Sequence, residues 1–324
     1  MVNDNPLLMI ANPTTLILGA GASVPFGYPT GTELREQIIK RIGMRVNDPR
    51  YEELLNRFQW SLVSSIDAFL AEEQNHHLQD IGRVAIVAAL HQIECVPQQA
   101  DWYELLFNAI RGVRSIDRNH PLRIVTFNYD RSLEHFIFQA FKNAYALSNR
   151  DALEMFNQSI EVIHVYGDIG ALPELEPNEP SARAYSATLT HSGYVEAAKR
   201  IEIIERAETS PKFKRARDAI ATATFLGILG FGYDQTNVAN LDLPRIANEK
   251  RAFSTGFGLG YGVRGWIRRM GLSDVFIGAE ADDVRAFLHN SGFLQWANTP
   301  GRTAHEMQSA IHHYFKNSSL RLPY

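Results

Sequence analysis

Polar side chains that could carry out chemistry lie at the ends of two predicted buried strands. The run LRIVTFN at 122–128 is an apolar strand that ends at Asn128, and Asp130 follows two residues later. The run IEVIHVYG at 160–167 contains His164 near its end. An asparagine amide can hold both a ribose hydroxyl and a water, and a histidine can act as a general base near neutral pH. Asn128, Asp130 and His164 are therefore candidate catalytic residues.

Each of these side chains also has a structural interpretation. Asp130 could cap the helix that follows it, and Asn128 could simply occupy a turn. A histidine in an apolar strand is more often a hydrogen-bonded core residue than a catalyst. The other histidines, which include adjacent pairs at 76–77 and 312–313, lack the spacing of a metal site, so we expect no metal.

Glycines end two further strands. The run ILGAGAS at 17–23 passes from an apolar strand towards a helix, where backbone N–H groups and the helix dipole could bind a pyrophosphate. The run TFLGILGFGYD at 224–234 could bring its backbone close to an adenosine ribose or base. A tight turn without a ligand is the alternative for both. The candidate dinucleotide-binding residues are Gly19, Ala20, Gly21, Ala22, Ser23, Gly167, Gly230 and Gly232.

The first glycine segment is not the fingerprint of a dehydrogenase. Val24 stands where the third glycine of that fingerprint would be. A second strand with a ribose-binding acid, expected about twenty residues later, is not recognisable. The segment therefore indicates a nucleotide loop of another kind.

Strand and helix signals alternate along the chain, which predicts a parallel sheet flanked by helices. Between about 51 and 114, apolar residues recur at three- and four-residue steps and predict a helical insertion. The proline-containing stretch at 168–190 has little periodicity and is a candidate lid. We expect one α/β domain over 1–324, a Rossmann-like parallel sheet with this insertion after the first strand, turn and helix. Further strands are predicted at 224–230, 251–255 and 274–278, with a closing amphipathic helix on Ala304, Met307, Ile311 and Tyr314.

Composition restricts the compartment and the partners. The net charge of −4, from 36 acidic and 32 basic residues, gives no general basic surface for nucleic acid or membrane. The basic run KFKRAR at 212–217 lies beside a helical pattern at 195–207, and we interpret it as a solvated helix end. The single cysteine, Cys95, excludes an internal disulfide and any zinc site with two or more thiolates. With neither a signal peptide nor a membrane-length apolar run recognisable, we expect a cytoplasmic protein that binds no membrane and no nucleic acid directly.

The order of these motifs resembles that of the sirtuin superfamily. GAGAS, TFNYD, HVYG and ILGFG, spread over 14–234, are similar to the family's GAGxS, Asn-x-Asp, His-Gly and late glycine-strand elements. The resemblance is greatest to a bacterial sirtuin-like group, which also has counterparts of SVPFGYPTG at 23–31 and of SID at 65–67. It implies that Asn128 and His164 occupy the positions of the family's asparagine and catalytic histidine.

Two departures from the family pattern bear on the reaction. Protein deacylases of the family carry a four-cysteine zinc module between the histidine and the late glycine strand, and this chain has only Cys95. The family's Phe-Arg element after the first glycine loop is not recognisable either, because Phe26 is followed by glycine, tyrosine and proline. Both departures favour hydrolysis of the dinucleotide over removal of an acyl group from lysine.

The resemblance implies an NAD+ glycohydrolase (NADase) with NAD as its substrate. The pyrophosphate would lie at 19–23 and the nicotinamide ribose between Asn128 and His164. His164 would take a proton from a ribose hydroxyl or water, Asn128 would position the water, and Asp130 would orient this pair or the ribose. The resemblance implies that members of the bacterial group are antiphage effectors that deplete NAD. Because such an activity would be toxic to the host if always on, we expect control by homo-oligomer formation or a companion protein. The alternatives are a non-hydrolysing sensor of NAD or ADP-ribose, an assembly subunit with a vestigial site, and a protein deacylase.

Overall fold

A six-stranded parallel sheet with helices on both faces forms the centre of the protein. The computed structural model describes residues 10, 12–43, 49–63, 65–94, 100–111, 122–204, 206–247, 250–270 and 275–297. The strands within these residues are β1 (Thr14–Leu18), β2 (Leu122–Thr126), β3 (Ile160–His164), β4 (Phe225–Leu229), β5 (Arg251–Ser254) and β6 (Phe276–Ile277). Their order in the sheet is β3-β2-β1-β4-β5-β6. The predicted strands and the Rossmann-like α/β fold are confirmed.

The strand order determines where a ligand would bind. β1 lies in the middle of the sheet, with Leu18 paired to Thr126 of β2 on one side and to Leu229 of β4 on the other. The direction in which strands are added reverses between β1 and β4. Open parallel sheets bind ligands beyond the carboxyl ends of their strands at such a reversal.

Two hydrophobic clusters cover the two faces of the sheet, and alternate strand residues enter opposite clusters. Leu16 and Leu18 belong to one cluster, whereas Ile17 belongs to the other. Because both faces are covered, β1 is buried along its whole length. This explains why its sequence is a continuous apolar run rather than an alternating one.

Helices α1 to α5 lie between β1 and β2. They are α1 (Gly31–Gly43), α2 (Pro49–Trp60), α3 (Ile66–Glu72), α4 (His76–Glu94) and α5 (Asp101–Ile110). The predicted helical insertion is therefore confirmed in the described residues, although Cys95 lies outside them. Large side chains of the insertion, such as Phe58, Phe69 and Trp102, are buried in the first hydrophobic cluster.

The later helices alternate with β3 to β6. They are α6 (Ser132–Ala144), α7 (Asn149–Ser159), α8 (His191–Ala198), α9 (Pro211–Thr222), α10 (Gln235–Asn240), α11 (Leu243–Ile246), α12 (Tyr261–Arg269), α13 (Val284–Ser291) and α14 (Phe293–Ala297). The helix expected near Tyr129 begins at Ser132 instead. The predicted closing helix at 304–314 lies outside the described residues.

The helix predicted over 195–207 is wrong beyond Ala198, where α8 ends. The chain leaves the helix because the Glu202 N–H donates to the carbonyl oxygen of Tyr166, at 2.9 Å. The basic run at 212–217 consequently belongs to the first half of α9. Its Lys212 pairs with Glu202 at 2.7 Å and its Arg215 with Glu161 at 2.6 Å. These pairs neutralise part of the run and do not favour nucleic-acid contact.

The candidate lid at 168–190 is fixed to the rest of the protein by a buried arginine. Arg131 pairs with Glu94 at 2.7 Å and also donates to the carbonyl oxygens of Ala171 (2.6 Å) and Arg183 (2.9 Å). The Arg183 side chain pairs with the same glutamate at 2.6 Å. Burial opposes ionisation of Glu94, but hydrogen bonds from His91 and Arg131 and the two guanidinium charges lower its pKa to about 2. In this conformation the segment is an anchored loop.

The turns that follow β1 and β4 touch through their backbones. A β-carbon on Gly19 would lie 2.5 Å from the Gly230 carbonyl oxygen, and one on Gly21 would lie 2.9 Å from the Gly230 Cα. Gly230 itself has a φ of +59°, and its β-carbon would lie 2.1 Å from the Ala22 nitrogen. These three glycines are therefore required by close packing of protein against protein.

This contact predicts that Gly230→Ala destabilises the fold while Gly232→Ala does not. The alanine at 230 needs both a strained left-handed conformation and space that Ala22 occupies, so we expect a loss of about 2 to 4 kcal/mol in the free energy of unfolding. A β-carbon at Gly232 meets nothing within 4 Å. Urea unfolding of the two variants measures the difference. Equal stability of the two would refute the packing explanation.

Candidate active site

The turn at 19–23, which follows β1, holds the side chain of Asn128 in one orientation. Asn128 itself lies just beyond β2. Its Nδ2 donates to the carbonyl oxygen of Gly19 at 3.0 Å and to Ser23 Oγ at 2.8 Å. Because a carbonyl oxygen can only accept, the amide cannot be reversed. The described residues supply no donor to Asn128 Oδ1. That oxygen is therefore available to accept a hydrogen bond from a ribose hydroxyl or a water.

Asp130 is buried at the centre of a hydrogen-bond network beneath this amide. Its Oδ2 accepts from Ser23 Oγ at 2.7 Å, and its Oδ1 accepts from the Ser132 N–H at 3.2 Å and from the Ser132 hydroxyl. The Ser132 hydroxyl in turn contacts the Tyr103 hydroxyl, at 2.8 Å. Burial raises the pKa of Asp130 despite these hydrogen bonds. The residue links β1, β2, α5 and the start of α6.

His164 ends β3 and has a hydrogen-bond partner at each ring nitrogen. Nδ1 lies 2.8 Å from the main-chain oxygen of Asn128, and Nε2 lies 2.5 Å from Glu134 Oε1. Burial alone would lower the pKa of His164, but the charge of Glu134 and the hydrogen bond to it outweigh burial and raise the pKa to about 9. The pair with Glu134 therefore favours the charged form of the imidazole.

Glu134 was not among the residues selected from the sequence. It lies in the first turn of α6, and its side chain is about one-tenth exposed. The signal that could have identified it is position, because the first turn of a helix after a strand lies at the same sheet edge as the strand end. A carboxylate there is within reach of a neighbouring strand-end histidine.

A second ion pair stands beside the histidine. The carboxylate of Asp168 forms a two-pronged pair with the guanidinium of Arg200, and both N–O distances are 2.6 Å. Burial would raise the pKa of Asp168, but Arg200 and the charge of His164 lower it. Gly167 has a φ of +80°, and its β-carbon would lie 1.8 Å from the Arg200 carbonyl oxygen. The close approach that Gly167 permits is therefore to another part of the chain.

The expected phosphate site presents few free amides in this conformation. The N–H groups of Gly19 and Gly21 donate to the carbonyl oxygens of Leu229 and Gly230, at 3.0 and 2.9 Å. The N–H groups of Ala22 and Ser23 donate within the turn itself, to Gly19 and Ala20. Within the part of the chain that the structure describes, only the N–H of Ala20 in this turn has no acceptor.

The structure thus brings most of the predicted residues together and leaves two outside the network, Gly167 and Gly232. Asn128, Asp130, His164 and the turn at 19–23 form one connected network, and Gly230 packs against that turn. Gly232 lies in the segment between β4 and α10, and a β-carbon there would meet nothing within 4 Å. Gly167 packs against Arg200 instead of the glycine turns.

No metal centre or membrane span is found in the described ranges. They contain no group of three or more His, Cys, Asp or Glu side chains that could hold a metal ion. Of the helices in those ranges, none is long and apolar enough to cross a membrane.

No protein-family model matches the chain, and no curated protein matches it significantly.

The network predicts that Asp130→Ala destabilises the protein. The substitution leaves two buried serine hydroxyls without their acceptor, so we expect a loss of about 2 to 4 kcal/mol in the free energy of unfolding. The matched control is Asp218→Ala, which removes an exposed carboxylate from α9 and should leave stability within about 0.5 kcal/mol of wild type. Urea unfolding monitored by circular dichroism compares them. An Asp130 variant as stable as the control would contradict the proposed network.

Proposed function

We propose that the protein is an NAD+ glycohydrolase that cleaves the bond between nicotinamide and ribose. The observation that carries this proposal is the amide of Asn128. Its nitrogen is fixed by Gly19 and Ser23, and its oxygen points away from those partners at the carboxyl edge of the sheet. The edge lies next to the reversal between β1 and β4, where sheets of this kind bind nucleotides.

A fixed, unshared amide oxygen suits this reaction. The C1′–N1 bond breaks with its electron pair going to the pyridinium nitrogen, so nicotinamide leaves as a neutral molecule. A water then forms the C1′–O bond and releases one proton. Because the ribosyl centre becomes a cation-like electrophile, the water needs orientation more than activation, and Asn128 Oδ1 can accept its hydrogen bond. Ser23 holds that amide in place, and Asp130 in turn accepts a hydrogen bond from Ser23.

The sequence resemblance supports the biological part of the proposal. We assign the protein to the bacterial sirtuin-like antiphage effectors, acting in the cytoplasm by depleting NAD. Such an activity would be toxic when permanently on, so control by self-assembly or a companion protein is part of the proposal. The paired side chains of Lys212 and Arg215 give no support to a nucleic-acid partner.

A second candidate function is a sensor that binds NAD or ADP-ribose without cleaving it. It is favoured by His164, whose two ring nitrogens are both engaged with protein acceptors. A sensor requires the same edge and the same amide for ribose recognition but no turnover. Release of nicotinamide by the purified protein separates the two functions.

The proposal predicts that Asn128→Ala reduces nicotinamide release by about a hundredfold or more, because the water loses its orienting acceptor. Affinity for NAD should fall by at most about tenfold, the value of one lost hydrogen bond. Chromatography with mass spectrometry follows nicotinamide and ADP-ribose, and calorimetry follows binding.

The control for this experiment is Asn143→Ala, which removes an exposed amide from α6. It should match wild type in both assays. Undiminished hydrolysis by the Asn128 variant would remove this residue from the mechanism. A wild-type protein that binds NAD without releasing nicotinamide, alone and with its companion, would favour the sensor.

A further inference from the structure

The two hydrogen bonds of the His164 ring define its protonation state. One partner is the main-chain oxygen of Asn128, at 2.8 Å from Nδ1, and the other is the carboxylate of Glu134, at 2.5 Å from Nε2. A carbonyl oxygen cannot donate, and an ionised carboxylate cannot either. With Glu134 ionised, both ring nitrogens carry hydrogen, and the side chain is an imidazolium.

An imidazolium has no lone pair with which to accept a proton from water. The side chain is also about nine-tenths buried, and each ring nitrogen already has a protein partner. For His164 to act as a base, Nε2 would have to leave Glu134 and lose its proton first. The geometry instead places the ring behind Asn128, where it donates to the main chain of the residue whose side chain faces the substrate.

We propose that His164 is a positioning residue held in its protonated form by Glu134, and that it fixes Asn128 rather than serving as the general base. This inference rests on the proposed NAD hydrolysis. Glu134 thereby becomes a determinant of the reaction that acts through His164. The proton released by hydrolysis leaves through water, and no group of this pair changes its charge during turnover.

The charged groups around the ring agree with this role. Glu134 faces it from α6, and Asp168 faces it from the segment after β3. Arg200 neutralises Asp168 through the two-pronged ion pair, so Glu134 is the carboxylate left to balance the ring. The raised pKa of His164, about 9, is the expected result of this arrangement.

The test is the pH dependence of Glu134→Gln compared with wild type. The glutamine oxygen can still accept from Nε2, so the geometry is kept while the charge is removed. The pKa of His164 should then fall towards its ordinary value of about 6.5 or lower. At pH 7.5 the variant should turn over about tenfold more slowly than wild type, and lowering the pH to 5.5 should restore much of the difference.

Between pH 6 and 8, the charge of this pair should not alter the activity of wild type. Above about pH 9 the imidazolium deprotonates, and wild type should lose activity. Taking the ratio of variant to wild type at each pH cancels other groups, such as Asp67, whose pKa is raised by burial to about 7. The control is Glu52→Gln, an exposed carboxylate on α2, whose ratio should be flat. Between pH 5.5 and 8 the ratio of Glu134→Gln to wild type should fall as the pH rises; a ratio that rises over that range would overturn the proposal, because deprotonation of His164 would then be increasing activity.

Nuclear magnetic resonance of the imidazole nitrogens tests the charge without any turnover. The His164 signal, identified by its loss in His164→Gln, should titrate near pH 9 in wild type and at least two pH units lower in Glu134→Gln. Titration of wild type at or below about 6.5 would overturn the positioning role even if NAD is hydrolysed. Absence of NAD hydrolysis combined with titration near 9 would overturn the proposed reaction, and with it the catalytic part of this inference, while leaving the ion pair established.

Discussion

The backbone contact between the turns after β1 and β4 is the constraint on which the rest of the site depends. Gly230 fills the space beside Gly19 and Gly21, so neither turn can move without the other. The contact fixes the carbonyl oxygen of Gly19 and the hydroxyl of Ser23, and these are the two acceptors that orient the Asn128 amide. The direction of one side chain at the ligand edge is thus determined by packing between strands that are distant in sequence.

Buried charges around the edge are arranged in compensated groups. Glu94, in α4, pairs with the guanidinium groups of Arg131 and Arg183. These two pairs hold the loop after β3 against α4. Asp168 pairs with Arg200 on the other side of that loop. Removal of one partner from such a group is costly because the other charge stays buried. The loop at 168–190 would have to move in order to act as a lid. Ion pairs at Asp168 and at Arg183 hold it in place.

The sequence predicted those parts of the structure that depend on local pattern. Buried strands such as β1 are apolar runs in the sequence, and strand position alone predicts that polar residues at or just beyond the strand ends, including His164 and Asn128, lie at the ligand edge. Position alone places Glu134 at the same edge, but its pairing with His164 could not be predicted, because the pairing depends on how α6 is rotated relative to β3. The helix expected beyond Ala198 failed for a related reason, since a hydrogen bond between Glu202 and Tyr166 replaces the helical one.

The glycines show how one pattern can have two physical causes. A glycine beside a strand end permits close approach, but the residue type does not say whether a phosphate or another stretch of backbone approaches. Here Gly19, Gly21 and Gly230 approach one another, and most N–H groups of the first turn are already used by carbonyl oxygens. Recognition of a dinucleotide in this conformation would consequently depend more on ribose contacts than on an amide cradle for phosphate.

The proposed charge state of His164 also fits the electrostatics of the proposed glycosidic cleavage. The ribosyl centre becomes positive as nicotinamide departs, and an unbalanced imidazolium nearby would repel it. The carboxylate of Glu134 cancels that charge at 2.5 Å. What the substrate would meet is then the negative end of the Asn128 amide dipole. A neutral dipole held rigidly by the protein stabilises developing positive charge without reorganising during the reaction, which is the condition under which electrostatic catalysis is most effective.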